Sequence, residues 1–215
     1  MDFPPVEAPR ARRRLSPARQ AFYIAFVLFA AVFVYWLLFR GLMFFRVPSE
    51  SMLPTLAPGD FIVTLPQQVY RRGDIVVLAD PLMKGGRLVK RIAAVEGDTV
   101  EVSLGYLTIQ GRYASEPYIH DPMDYAIETL TVPTGEVLVL GDNRNESNDA
   151  SRWLINPDTG EAMDATDAKS DIVNGKRWKR TVRVSTVVGK VMYRYLPFGR
   201  IGGVSSYPLT NSAGE

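Results

Sequence analysis

Gln20 to Phe39 is a run of 20 residues without a single charge, flanked by Arg19 and Arg40, and it constrains this chain more than any other feature. As a helix, 20 residues at roughly 1.5 Å each cross the ~30 Å hydrocarbon core of a bilayer. Ser16-Pro17 reads as the helix start, with Ser16 as N-cap and Pro17 in the first turn. The run exceeds the apolar stretch of a cleaved leader and no Ala-x-Ala site follows it, so it reads as a retained anchor. Arg10, Arg12, Arg13, Arg14 and Arg19 precede it, whereas only Arg40 and Arg46 follow closely. The positive-inside bias therefore puts residues 1–19 in the cytoplasm and residues 40–215 outside, in a single pass. Tyr35, Trp36, Phe44 and Phe45 suit the outer interface.

Beyond the anchor lie about 170 residues, enough for one core. Five arginines against Asp2 and Glu7 give the first twenty residues +3, so of the whole chain's +2 the remainder carries −1. That balance gives nucleic-acid binding no support. With no cysteine, disulfides, thiolate catalysis and cysteine-held metals are excluded. The single histidine, His120, cannot build a histidine metal cluster, and its Tyr-Ile-His-Asp-Pro setting reads as a surface loop. No metal or cofactor is expected, and the outer part is expected to act as a monomer.

Short runs rich in β-branched and aromatic residues dominate the outer part: 61–65, 74–78, 88–92, 99–102, 106–109, 136–140 and 187–195. Gly-Asp, Arg-Gly and Pro-Thr-Gly punctuate them. Many short strands with almost no helical periodicity predict a mainly β domain, a compact coiled antiparallel sheet or barrel, behind one transmembrane helix. Residues 154–179 depart from this. They carry Asp164, Asp167 and Asp171, then Lys176, Arg177 and Lys179, without an apolar period, and read as a polar surface insertion.

Ser51 lies in Ser-Glu-Ser-Met-Leu-Pro-Thr-Leu, a few residues after the anchor. A serine nucleophile without cysteine or a well-placed histidine needs another base, and lysine is the usual remaining choice. Of six lysines, three lie in the polar insertion and Lys84 lies in a Met-Lys-Gly-Gly turn. Lys90 differs: strand alternation puts it on one face with Leu88 and Ile92. Burial there disfavours its charged form. Read singly, Ser51 also suits a helical-turn cap and Lys90 a strand-edge lysine with its stem along apolar surface. A third segment, Gly141-Asp-Asn-Arg-Asn-Glu-Ser-Asn-Asp-Ala-Ser-Arg152, crowds hydrogen-bonding side chains behind an apolar strand.

Together these segments resemble the type I signal peptidases, membrane-bound Ser-Lys enzymes of peptidase family S26. Ser-x-Ser-Met-x-Pro-Thr-Leu matches at 49–56 and Gly59-Asp60 follows. Arg-Gly-Asp-Ile-Val-Val at 72–77, Lys-Arg-Ile at 90–92, Gly97-Asp98, and Gly-Asp-Asn-Arg with Ser147 and Asp149 come next in the family's order. Val188-Gly-Lys-Val and Arg194-Tyr-Leu-Pro close the pattern, which covers roughly residues 20–203.

The resemblance implies Ser51 as nucleophile, Lys90 as general base and Ser147 as the group orienting its amine. It implies an oxyanion hole from the Ser51 N–H and the Ser49 hydroxyl. Ion pairs of Asp142 with Arg91, and of Asp149 with Arg152, would brace the site. Met52, Leu56 and Val89 would line pockets for Ala-like side chains of a substrate bound as an added strand. The expected activity is removal of signal peptides from exported preproteins at Ala-x-Ala sites, on the outer face of a bacterial cytoplasmic membrane. Partners are then preproteins and the lipid bilayer. Other readings are a specialised processing peptidase, a self-cleaving regulator or a non-catalytic peptide-binding β-domain. Two departures from the family pattern stand out. Ala94-Val-Glu96-Gly-Asp lacks a turn proline, and Ala150 separates Asp149 from Ser151-Arg152.

Overall fold

The computed structural model describes residues 16–39, 41–167, 178–207 and 209. They form two compact units, one the N-terminal helix and the other everything from Gly41 onward. The helix, α1, runs from Pro17 to Phe39. Ser16 caps it as expected, accepting the Arg19 N–H on its hydroxyl at 3.4 Å. Phe22, Phe26, Phe29, Val32 and Phe33 are all exposed. A helix this long and apolar around its whole circumference is a candidate membrane span.

The second unit contains fourteen strands: β1 (Met43–Arg46), β2 (Phe61–Leu65), β3 (Ile75–Ala79), β4 (Arg87–Val95), β5 (Thr99–Ser103), β6 (Tyr106–Ile109), β7 (Arg112–Tyr113), β8 (Ile127–Thr131), β9 (Glu136–Leu140), β10 (Trp153–Ile155), β11 (Ala162–Asp164), β12 (Val182–Arg183), β13 (Val187–Leu196) and β14 (Gly202–Gly203). The main sheet runs β1-β2-β13-β3-β4-β9-β12, with β14 on β13, and every pairing is antiparallel. A smaller sheet has the order β7-β6-β5-β8. Register shifts in β13, and between Ile92 and Ala94 in β4, put bulges where the main sheet must curl. The result is the coiled, half-barrel β architecture the strand pattern predicts.

β3 is buried on both faces, and so is β4 from Val89 to Ala94. Val76, Leu78 and Ile92 enter the larger core, with Leu138 and Val139. Ile75, Val77 and Val89 face a second core, with Met52, Leu56 and Ile62. Alternation within one strand thus feeds two apolar layers.

The expected polar insertion is corrected at its start only, since residues 156–167 are all partly or fully exposed. Trp153, Leu154 and Ile155 are buried, and β10 pairs with β11 as a hairpin. Ile155 also bridges Lys179, whose amine pairs with Glu136. Acidic composition hid a strand anchored by three large apolar side chains. Asp171, Lys176 and Arg177 lie outside the described residues.

Candidate active site

The Ser51 turn is held from both ends. Leu53 N–H bonds to Glu50 O at 3.0 Å and Leu56 N–H to Met52 O at 2.9 Å, coiling the chain just beyond Ser51. Val47 N–H and Gly59 N–H close the base through Asp60 O and Val47 O. The buried Asp60 carboxylate accepts the Ala57 N–H at 2.9 Å and pairs with Arg194 and Arg200. Arg194 also donates to Thr55 O at 3.0 Å, tying the turn to β13. Met52 and Leu56, both 0% exposed, plug the turn into the second core. Expected to line substrate pockets, they lie in the second core behind the site, and Val89, at 9%, is the most exposed of the three.

Lys90 sits on β4 opposite Val76 of β3 and is 2% exposed. Its amine donates to Ser51 Oγ at 2.7 Å, across 39 positions of sequence. Burial lowers the Lys90 pKa from its ordinary value; the charges of Asp149, Asp80 and Asp142 oppose the shift without cancelling it. The Ser49 hydroxyl lies 3.3 Å from Ser51 Oγ. Ser51 N–H donates to no backbone acceptor among the described residues.

The Gly141–Arg152 loop seats on this pair. Asn143 N–H donates to Ser51 O at 3.1 Å, and its side chain to Glu50 O at 3.3 Å. A Cβ on Gly141 would stand 2.2 Å from Ser147 Oγ and 2.5 Å from Ser51 O, so only glycine lets the loop approach. Ser147 Oγ is buried and makes no hydrogen bond, to Lys90 or to any other described residue. Asp149 accepts Gly141 N–H at 2.7 Å and Ser151 N–H at 2.9 Å on its two oxygens. Its expected ion pair with Arg152 is not formed: Arg152 donates to Asn145 O at 2.6 Å instead. Ala150, fully buried next to Asp149, takes a place in the core and leaves Arg152 outside it.

The other expected brace is present. Arg91 makes two parallel bonds to Asp142, of 2.8 and 2.7 Å, with both side chains almost fully buried. Thr55 of the Ser51 turn donates to the same carboxylate at 2.5 Å. Arg91 also donates to Gly73 O at 2.7 Å and lies 3.9 Å from the Tyr118 ring centroid. A second buried pair, Arg144 with Glu116, fixes the loop through Gly141 O and takes a bond from the Tyr118 hydroxyl. Thr55, Asn143, Arg144, Glu116 and Tyr118 escaped the sequence reading as site residues. Asn143 and Arg144 stood within a noted block, but nothing local marked Glu116 or Tyr118.

One edge of β4 is half open. Arg87 to Arg91 pair with β3 on one side, but β9 covers the other side only from Arg91 onward. Past Leu140 the chain leaves the sheet as the Gly141 loop. The backbone of Arg87–Lys90 can therefore accept a guest strand that ends against the Ser51–Lys90 contact.

The chain is similar to known proteins. The model of the family described as signal peptidase, peptidase S26, matches residues 20–196. A probable signal peptidase I-1 of Synechocystis sp. is 32% identical over 175 residues, covering 75% of this chain and 74% of that protein. A probable thylakoidal processing peptidase 2 of Arabidopsis thaliana is 41% identical over 118 residues, 50% of this chain and 32% of that protein. The crystal structure of a signal peptidase I from Enterococcus faecalis superposes on 57% of this chain and 97% of its own, at 25% identity and a TM-score of 0.38.

Proposed function

The chain belongs to the peptidase S26 family of signal peptidases, and from that premise we propose that Ser51 and Lys90 are its nucleophile and general base. The carrying observation is the 2.7 Å contact between a buried lysine amine and a serine hydroxyl at the end of an open strand edge. Neutral Lys90 takes the Ser51 proton as Oγ attacks the scissile carbonyl. The tetrahedral intermediate collapses to an acyl-enzyme, and Lys90 returns the proton to the leaving amine. Water, deprotonated by the same amine, then releases the cleaved signal peptide. The Ser51 N–H and the Ser49 hydroxyl stabilise the oxyanion, where one donor is typically worth about 2.7–4 kcal/mol. Ser147, whose hydroxyl is buried behind Gly141 without a partner, is the group we assign to orienting the amine during turnover.

The substrate is an extended preprotein segment with Ala-x-Ala before the cleavage site, added as a strand to Arg87–Lys90 with Val89 at the floor. The arginine-rich N-terminus favours a cytoplasmic start and an extracytoplasmic peptidase unit. The direct test is cleavage of an Ala-x-Ala preprotein by detergent-solubilised protein, with the new N-terminus read by mass spectrometry. Wild type cuts after the second Ala, and a folded Ser51→Ala variant does not. Cutting by Ser51→Ala would overturn the assignment.

Asp80→Asn tests the base electrostatically. Asp80 accepts the Leu82 and Met83 N–H groups on one oxygen, a role an amide oxygen retains. Its charge favours protonated Lys90, so removing it lowers the Lys90 pKa further. The acid limb of the rate profile should move to lower pH with the fold intact. A limb that stays put or moves up would deny that Lys90 sets it.

A further inference from the structure

If the cleavage region lies on the open edge of β4, the chain beyond the scissile bond cannot continue along that edge. β9 occupies it from Arg91 onward, and the Gly141 loop rises just past Leu140. The only room for a long recognised segment is toward Arg87, so the first residues of the released protein must leave over the Ser51 turn and the Gly141 loop. A depression of about 290 Å³ lies there, lined by Leu53, Pro54, His120, Asp121, Asn143 and Asn145. Its rim is shared with the catalytic turn, since Asn143 N–H holds Ser51 O. Its volume is near the lower limit for ligand pockets, ~300 Å³, and suits one or two side chains.

Resting on the peptidase reading above, we infer that this depression is a subsite for the first residues after the scissile bond, and that Asp121 makes it favour basic over acidic side chains. The polar groups of Asn145 are spent on Pro122 O and the Asp124 N–H, and the Asn143 amide nitrogen on Glu50 O. Asp142, at its base, is neutralised by Arg91, and Arg144 by Glu116. Neither the Asp121 carboxylate nor the His120 imidazole has a hydrogen bond or ion pair with any described residue. The one uncompensated charge facing an incoming side chain is therefore negative, and Leu53 and Pro54 supply apolar wall for a lysine or arginine stem.

The test uses two preproteins identical except for Lys-Lys or Glu-Glu at the second and third residues after the cleavage site. Wild type should cleave the lysine substrate with a kcat/KM about two- to five-fold higher, the range exposed ion pairs supply. The preference should shrink at high salt. Asp121→Asn should bring the ratio close to one, and Asp121→Lys should invert it. An identical ratio in all three enzymes, with both substrates cleaved, overturns the subsite and leaves the peptidase standing. Failure of wild type to cleave either substrate overturns the peptidase reading and the subsite with it.

Discussion

Lys90→Met should abolish turnover and raise the melting temperature. Methionine matches the length of the lysine stem and fits between Val76 of β3 and the larger core without the ammonium group. The cost removed follows from linkage. Burial holds the folded-state pKa of Lys90 below its ordinary value near 10.5. Between those two values the unfolded chain binds a proton that the folded protein does not, so stability rises with pH across that window. Below the window the folded state carries the full penalty, ~1.4 kcal/mol for each unit of pKa depression. The substitution loses one hydrogen bond, to Ser51 Oγ, typically worth about 1 kcal/mol, and Ser51 at 7% exposure can still reach water. Relief of this desolvation opposes the loss of the bond, and each 1 kcal/mol recovered raises Tm by about 2–4 °C in a chain of this size. Activity moves the other way. Removing one member of a nucleophile–base unit typically costs about 10⁴- to 10⁶-fold in kcat. Calorimetry and preprotein cleavage on the same sample decide it. A variant less stable than wild type would mean Lys90 is not buried at a cost, and one keeping a tenth of wild-type activity would mean it is not the base.

Much of the fold was legible because it is written in local chemistry. Runs such as Phe61–Leu65 and Glu136–Leu140 are long enough, and apolar enough, to declare themselves as strands. The unbroken Gln20–Phe39 stretch announced α1 as a helix long and apolar enough to cross a membrane. What escaped notice depends on contacts distant in sequence. β1 is four residues, Met-Phe-Phe-Arg, and looked like an interfacial tail until its register with Phe61–Thr64 is seen. β8 alternates Ile127 and Leu130 with Glu and Thr, a pattern too short to separate from a loop. β10 lay inside acidic composition. The dyad itself was proposed from the resemblance, because no local rule connects Ser51 to Lys90. Arg152 shows the opposite failure: the family pattern named a partner for it, and a single buried alanine, Ala150, accompanies its departure to Asn145 O.

The proposed Ser51–Lys90 site is assembled from three chain segments far apart in sequence, and one carboxylate touches all of them. Asp142 belongs to the Gly141 loop, takes two bonds from Arg91, the neighbour of Lys90, and takes a third from Thr55, four residues after Ser51. A tie of this kind fixes the relative positions of Ser51 and Lys90.

Asp142→Ala should therefore be the most damaging substitution that leaves Ser51 and Lys90 in place. It strands the Arg91 guanidinium, 1% exposed, with its charge uncompensated and only neutral groups, Gly73 O, Ser205 O and the Tyr118 and Tyr207 rings, left among its contacts. Breaking a buried pair from one side typically costs about 3–5 kcal/mol, a large share of a domain's stability. Thr55→Val removes one bond to the same carboxylate and should cost less, about 1.5–3 kcal/mol. The informative partner is the double variant Arg91→Met/Asp142→Leu. Replacing both ions with apolar groups removes two desolvation penalties, so most of the stability lost in Asp142→Ala should return. Full recovery is not expected, because Gly73 O loses its donor. Turnover should not return with stability, since the three-way tie to Thr55 is still missing. Thermal melts and kcat on the three variants separate the two effects. If Asp142→Ala costs less than about 1 kcal/mol, the value of an exposed pair, Arg91 and Asp142 are not the buried brace described. If the apolar double variant regains wild-type kcat, the pair serves stability alone and the alignment of Ser51 with Lys90 is held elsewhere.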